Sequence, residues 1–339
     1  MITLYHHSRF GLARAAVYYR GQPHLYDEGL DCDPALDRLG VRSVARLKAK
    51  AGGVAFLTLA DGRDAVLDAP HDVLARFGEG GAVEVVIIAE ARVDKLARAK
   101  WLAVAEGAPC RLSPPLTLKE RILAQATRCF GDMPVTEEDD DDKLCDARSG
   151  AVNGSGAMAG GGYLSIEPTR ALIACDVDSA GDGNGLVLPA KALATQCNER
   201  AVAEVARRLR LSGLAGLVVV DLIGQRHNGD RLRSLFQAAL LNEVADVIIA
   251  PIGRFGTLEF VRPWGPEPFR SKLATALPHA QNLLEQAARL ACHHPGRQLA
   301  IRASDAYLSI LRPLLAASHD PLTPMLRLQP GDATEVVVL

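Results

Sequence analysis

Two apolar strand patterns separated by one long helical pattern fix the centre of this chain. Residues 171–178 (ALIACDVD) alternate as a strand does, so Leu172, Ala174, Asp176 and Asp178 share one face and Ile173, Cys175 and Val177 the other. Residues 217–220 (LVVV) form a continuous apolar run, the pattern of a strand buried on both faces. Between them Leu193, Cys197, Ala201, Val205 and Leu209 recur every fourth residue as a helical stripe. Pro189 suits the first turn of that helix and Gly213 its C-terminal stop. Strand, helix, strand predicts a parallel pair joined by a right-handed crossover. Asp176 and Asp221 then fall at the C-terminal ends of parallel strands, where open α/β sheets place their sites.

Asp176, Asp178 and Asp221 converging at one sheet end repel one another, and a hard cation relieves that repulsion. Mg²⁺ is typically held by one or two carboxylates, with water and substrate phosphate completing its shell. It activates water and stabilises charge on a phosphodiester; Mn²⁺ takes the same oxygen ligands. Each aspartate alone would serve equally as a cap at a turn or helix start. The Gly-rich stretch that follows, DSAGDGNG (Asp178 to Gly185), offers backbone amides to phosphate but has neither a GxGxxG nor a Walker pattern.

Three stretches, GGGYLSIEPTRALIACDVDSAG, CNERAVAEVARRLRLSGLAGLVVVDLIG and IGRFGTLEFVR, make residues 160–262 resemble the catalytic core of the ribonuclease E/G family in order and spacing. The resemblance implies that Asp176 and Asp221 are the family's two metal-binding aspartates. Asp178 stands where the family has Asn, and Asn198 matches the Asn of its TNLEAA-like helix. Arg254, Phe255 and Gly256 match its SRFG element, and Glu259 and Arg262 its LLEMSR-like segment. Arg170 departs from the Glu of TEAL and reverses a charge near the site. The activity implied is Mg²⁺-dependent endonucleolytic hydrolysis of single-stranded RNA, leaving 5′-phosphate and 3′-hydroxyl ends. Its catalytic residues would be Asp176, Asp178, Asp221 and Asn198, with Arg254, Phe255 and Arg262 on the substrate.

The same resemblance divides the chain. Residues 1–36 resemble the opening strands of an RNase H-like subdomain, 37–102 a degenerate OB-fold insertion, 160–270 the DNase I-like core and 271–339 the small C-terminal α/β domain. Residues 103–159 read as a linker, too short for the family's sensor of RNA 5′ ends, with an acidic run (Glu137 to Asp142) expected to be a solvated loop. In the OB-like part Phe56 would stack on a base while Lys95, Arg98 and Lys100 meet phosphate. The family's zinc-binding CPxC-like link is missing. Cys292, His293 and His294 lack the spacing of a closed zinc site and read as a helix end, so no structural zinc is expected. Without that link a tetramer is not expected, and pairing into a homodimer stays open.

A net charge of −2 is not the signature of a nucleic-acid binder, but the acidic run alone supplies six negative charges, and without it the balance is +4. Basic residues cluster at Arg92–Lys100 and Arg200–Arg210, and Arg207, Arg208 and Arg210 would face phosphate from the central helix. Seven scattered cysteines suggest reduced thiols. The start MITLYHHSRF lacks the pattern of a signal peptide, and no apolar run reaches the length of a membrane span. Single-stranded RNA as partner, no membrane and a cytoplasmic location follow as expectations. Two other readings remain: an RNA-binding protein with a weak or inactive site, and a Mg²⁺-dependent enzyme acting on a small phosphorylated molecule.

Overall fold

The computed structural model describes residues 1–51, 54–76, 78–93, 95–179 and 189–339. Its architecture is mixed α/β, with eight α-helices among the described residues. The chain opens with β1 (Ile2–Arg9), β2 (Leu12–Tyr19) and β3 (Gln22–Leu30), an antiparallel meander. Every residue of β2 but the last is buried, because the sheet is covered on both faces.

The next unit is a closed barrel of β4 (Arg42–Ala51), β5 (Val54–Thr58), β6 (Asp64–Asp68), β7 (Ala82–Ala89) and β8 (Ala97–Val104), with helix α1 (His71–Arg76) between β6 and β7. Its strand order is β4-β5-β6-β8-β7 and back to β4, with β6 and β8 parallel. This is an OB-like arrangement. Alternation fills the interior with Leu47, Leu57, Leu67, Val83, Val85 and Ile87. A short strand β9 (Cys110–Arg111) adds to β4 on the outside.

The stretch read as a linker proves to be structured. Helix α2 (Leu118–Phe130) starts with a capping box between Thr117 and Glu120. Strand β10 (Val135–Glu138) pairs in parallel with β1, and helix α3 (Asp141–Asn153) follows. Helix α2 covers one face of the first sheet through Leu118, Ile122 and Ala126, and α3 the other through Leu144, Ala147 and Ala151. The acidic run is therefore no loop. Glu137 pairs with Lys119 at 2.6 Å, and Tyr5 donates to Glu138 at 3.2 Å. The Asp140 carboxylate accepts from the amides of Asp142 and Lys143 as the α3 N-cap, with Asp141 and Asp142 in the first turn, where the helix dipole favours negative charge.

The central sheet follows. It contains β11 (Gly156–Ala157), β12 (Tyr163–Pro168), β13 (Ile173–Asp178), helix α4 (Ala190–Ser212), β14 (Gly216–Asp221), helix α5 (Gly229–Leu240), β15 (Ile248–Ile249) and β16 (Thr257–Arg262). Strand order is β11-β12-β13-β14-β16-β15, and β13–β14 is the predicted parallel pair across α4. Pro189 precedes α4, and Gly213 ends it in the left-handed conformation. Both α4 and α5 pack on one face, over Ile173, Cys175, Val177, Val218 and Val220. The expectation that LVVV is buried on both faces fails here. Leu217 is 42% exposed and Val219 half-buried, because among the described residues no helix covers the opposite face.

Helix α6 (Phe269–Lys272) leads into the last unit: α7 (Ala276–His293), β17 (Leu299–Ala303), α8 (Asp305–Ala317), β18 (Leu326–Pro330) and β19 (Glu335–Val338), in strand order β18-β17-β19. Its core includes Phe10 and Leu12 of the first hairpin, so this unit is packed on the start of the chain. Cys292 is exposed near the end of α7, and His294 caps that helix. Among the described residues no helix is long and apolar enough to cross a membrane.

Candidate active site

The uncovered face of the central sheet carries one polar row. Asp176 on β13 is the register partner of Asp221 on β14, so the two carboxylates stand side by side on adjacent parallel strands. The row continues to Ser165 on β12 and Thr257 on β16, the partners of Asp176 and Asp221 on the outer sides. Both aspartates are exposed, and neither has a hydrogen-bond or ion-pair partner among the described residues. Asp178 is exposed one pleat further along β13. Glu167 and Glu259 occupy the next row on the outer strands, where the Thr257 hydroxyl donates to Glu259 Oε1 at 2.9 Å. Ser165, Glu167 and Thr257 escaped the sequence reading, although the alternation of YLSIEP and TLEFVR would have put them on this face.

Asn198 is placed differently from the expectation. It is buried in α4 behind the sheet, at 2% exposure. The Ile223 amide donates to Asn198 Oδ1 at 3.0 Å, and Asn198 Nδ2 donates to the Ile223 carbonyl at 3.1 Å. Both ends of the amide are thereby spent on the backbone two residues after Asp221. Asn198 thus holds the loop that follows Asp221 from behind the sheet. Its neighbour Cys197 donates to the Asp178 carbonyl at 3.5 Å, which ties the end of β13 to the same turn of α4.

Arg254 and Phe255 form an exposed tip beside the row. The Arg254 guanidinium lies 5.5 Å from the Phe255 ring centroid, and Phe255 is 75% exposed. The next residue must be glycine. Gly256 has φ +88°, and a Cβ there would sit 2.5 Å from the Gly224 carbonyl oxygen. The tip is thus seated on the loop that Asn198 holds.

Arg262, expected on substrate, is not on this face's polar end. It lies at the far end of β16, donating to the Leu214 carbonyl at 2.7 Å and to Glu243 at 2.5 Å. Arg210 joins the same carboxylate at 2.6 Å. Arg208 donates to four carbonyls, those of Gly154, Gly156, Ala157 and Leu164. Arg208 and Arg210 are buried, so they brace the scaffold and do not meet phosphate from α4 as their sequence cluster suggested. Arg170 sits in the turn between β12 and β13, and the three strand steps from Ile173 to Asp176 alone span about 10 Å. The charge reversal therefore lies at the opposite end of the hairpin from the carboxylates.

On the barrel, Phe56 alternates with the core residues Ala55 and Leu57 and is half-buried on the outer surface. It neighbours Val66, which neighbours Arg98, so these three form one outward row across β5, β6 and β8. Arg98 pairs with Asp68 at 2.9 Å. Lys95 is exposed in the β7–β8 connection, apart from that row. The stretch DSAGDGNG, considered for phosphate binding, lies from residue 180 onward outside the described residues.

Asp176 and Asp221 suit a hard cation: oxygen ligands only, exposed and without a basic partner among the described residues. Among the described residues no group of three or more His, Cys, Asp or Glu is arranged to hold a metal ion. Two adjacent carboxylates match an ion that keeps several of its waters, as Mg²⁺ does.

The family model of the ribonuclease E/G family matches residues 146–264, the span from α3 through β16 that builds the carboxylate row. That segment is similar to the ribonuclease E/G family. Ribonuclease E of Nostoc sp. is 37% identical over 107 residues, covering 31% of this chain and 15% of that protein. Ribonuclease E of Escherichia coli is 38% identical over 111 residues, covering 31% of this chain and 10% of that protein. A ribonuclease E/G-like protein of Porphyra purpurea is 30% identical over 104 residues, or 20% of its length. The chain thus matches only a small part of each of these relatives.

Proposed function

We propose that this protein is a metal-dependent endoribonuclease that hydrolyses single-stranded RNA at the Asp176–Asp221 row. The observation that carries the reading is the register pairing of two aspartates, unpartnered among the described residues, inside the segment that matches the ribonuclease E/G family. Asp176 and Asp221 would hold Mg²⁺ or Mn²⁺, and Asp178 would orient its water. When bound, the ion would supply an activated water and neutralise charge on the scissile phosphate. Arg254 and Phe255 would receive the strand, one against phosphate and the other against a base. The products would carry 5′-phosphate ends. In this reading the first sheet with α2 and α3 is the RNase H-like part, and the carboxylate sheet the DNase I-like part. The OB-like barrel would add a modest grip through Phe56 and Lys95. All seven cysteines are free, which suits a reducing compartment and a cytoplasmic location.

The test is cleavage of an internally labelled, A/U-rich single-stranded RNA with Mg²⁺, with EDTA, and by the Asp221→Asn variant. Internal cuts that need the metal and vanish in the variant uphold the reading. Cleavage by the variant at the wild-type rate would sink the site assignment. Metal-independent RNA binding with no cuts would leave an RNA-binding protein.

A further inference from the structure

Of the phenylalanine, tyrosine and tryptophan residues whose surroundings are described, only Tyr163 and Phe255 are exposed, at 43% and 75%. Both stand at the end of the central sheet that carries the carboxylates. Tyr163 opens β12 and is the register partner of Asp178, as Ser165 is of Asp176. Side chains two residues apart on a strand share a face, so Tyr163 lies on the uncovered face one pleat beyond the carboxylate row. Directly opposed residues of an antiparallel pair hold their Cβ atoms about 5 Å apart, which sets the ring beside Asp178. It has neither a ring contact nor a hydrogen-bond partner among the described residues.

The backbone beneath this ring is pinned. Gly162 has φ +82°, and a Cβ there would sit 3.0 Å from the Asp178 carbonyl oxygen and closer still to the Cys197 sulfur. The Met158 amide donates to the Gly162 carbonyl at 2.8 Å. Tyr163 is thus held against the end of β13. An exposed ring without neighbours adds little to the fold, since an aromatic stabilises by being buried.

Phe255 takes the other flank. It sits in the turn 253–256, closed by the Gly256 amide on the Gly253 carbonyl, two residues beyond Thr257, the partner of Asp221. Between β12 and β16 lie β13 and β14 with Asp176 and Asp221, and the three strand spacings amount to about 14 Å.

We propose that Tyr163 is a base-stacking residue for RNA: it receives a base on one side of the scissile phosphate, and Phe255 receives one on the other. The proposal rests on the reading of the Asp176–Asp221 row as the cleavage site. Stacking on a protein ring takes the face of an unpaired base, so two platforms bracketing the row select single-stranded RNA.

Fluorescence anisotropy in EDTA with a labelled single-stranded oligoadenylate tests this, alongside cleavage in Mg²⁺. Tyr163→Ala should weaken binding about tenfold, as expected for one base stack lost to alanine. Tyr163→Phe keeps the ring and should restore most of that loss. In a series of RNAs each lacking one base, the wild type should lose affinity at the stacked position, and Tyr163→Ala should lose no more there, because the stack is already gone. A merely structural role for Tyr163 would leave that penalty in place. The proposal falls if Tyr163→Ala binds as the wild type does, if Tyr163→Phe restores nothing, or if the missing-base penalty is the same in both proteins. Cleavage that needs Asp221, with Tyr163→Ala binding unchanged, overturns the stacking role alone. Binding effects as expected, with no cleavage in Mg²⁺, overturn the cleavage reading and leave Tyr163 stacking a bound strand. No RNA binding by the wild type overturns both.

Discussion

Asn198 and Ile223 exchange two hydrogen bonds, side-chain amide to backbone, at 3.0 and 3.1 Å. This clamp joins the helix behind the sheet to the loop that leaves Asp221. A buried amide that satisfies one N–H and one C=O leaves both unpaired when removed. Asn198→Ala should therefore cost about 1–3 kcal/mol of stability, measured by urea unfolding. If the cleavage reading holds, the variant should lose activity mainly in kcat, because Arg254 and Phe255 still present themselves to RNA. A variant with unchanged kcat and a raised KM would show Asn198 touching substrate instead.

Glu243 is shared by Arg210 and Arg262, at 2.6 and 2.5 Å. Burial pushes its carboxyl up, but the two guanidinium groups outweigh that and hold it below the usual range. Its folded pKa is depressed, so its contribution is present above about 4.5, the unfolded value, and is lost as pH falls through the lower folded one. Glu243→Gln leaves buried Arg210 and half-buried Arg262 without their carboxylate and should destabilise by about 3–5 kcal/mol. Arg262→Ala should likewise lower the urea midpoint while leaving the KM for RNA within about twofold, as expected for a residue that removes no substrate binding. A large rise in KM at unchanged stability would return Arg262 to the substrate.

Gly256 sets the loop of Arg254 and Phe255 against Gly224. An alanine there meets both a positive φ and the Gly224 carbonyl, so the tip must move away. The conformational cost alone is about 1–2 kcal/mol. Gly256→Ala should reduce RNA affinity, read by fluorescence anisotropy in EDTA, more than it reduces the melting temperature. Equal affinity in the variant would show that the tip does not contact RNA.

The central strands, their helix and the two aspartates were legible because periodicity and strand-end position are local signals. The fate of the arginines on α4 was not. Arg207, Arg208 and Arg210 are adjacent in sequence and look like a phosphate patch, yet their partners are a glutamate on their own helix, a loop of carbonyls at 154–164 and Glu243. Only tertiary packing supplies those acceptors. The acidic run misled for a related reason. Glu137 and Glu138 lie on a strand whose partner, β1, is more than 130 residues away. Arg170 looked close to Asp176 along the chain, but a hairpin turn and three strand residues separate them. Asn198 was found by its motif; its role was not, because Ile223 carries no side-chain signal.

His24 links the first sheet to α4, with Arg210 donating to its Nδ1 at 2.8 Å. Burial, then Arg210 and Arg207, lower its pKa to about 3, against 6.5 in the unfolded chain. Between those values the unfolded state binds the extra proton, so stability must rise with pH. The contribution is complete above the unfolded value and is lost as pH falls below it, by about 1.4 kcal/mol per unit. His24→Gln cannot titrate but can still accept from Arg210. From pH 7 to pH 5 the wild type should therefore lose about 2 kcal/mol more than the variant in urea unfolding. Other titrating groups, among them Glu267 and Glu285 with raised pKa values, act equally in both proteins and cancel in the difference. Parallel pH profiles for the two would mean that His24 protonates in the folded chain and that the Arg210 contact opens to admit the charge.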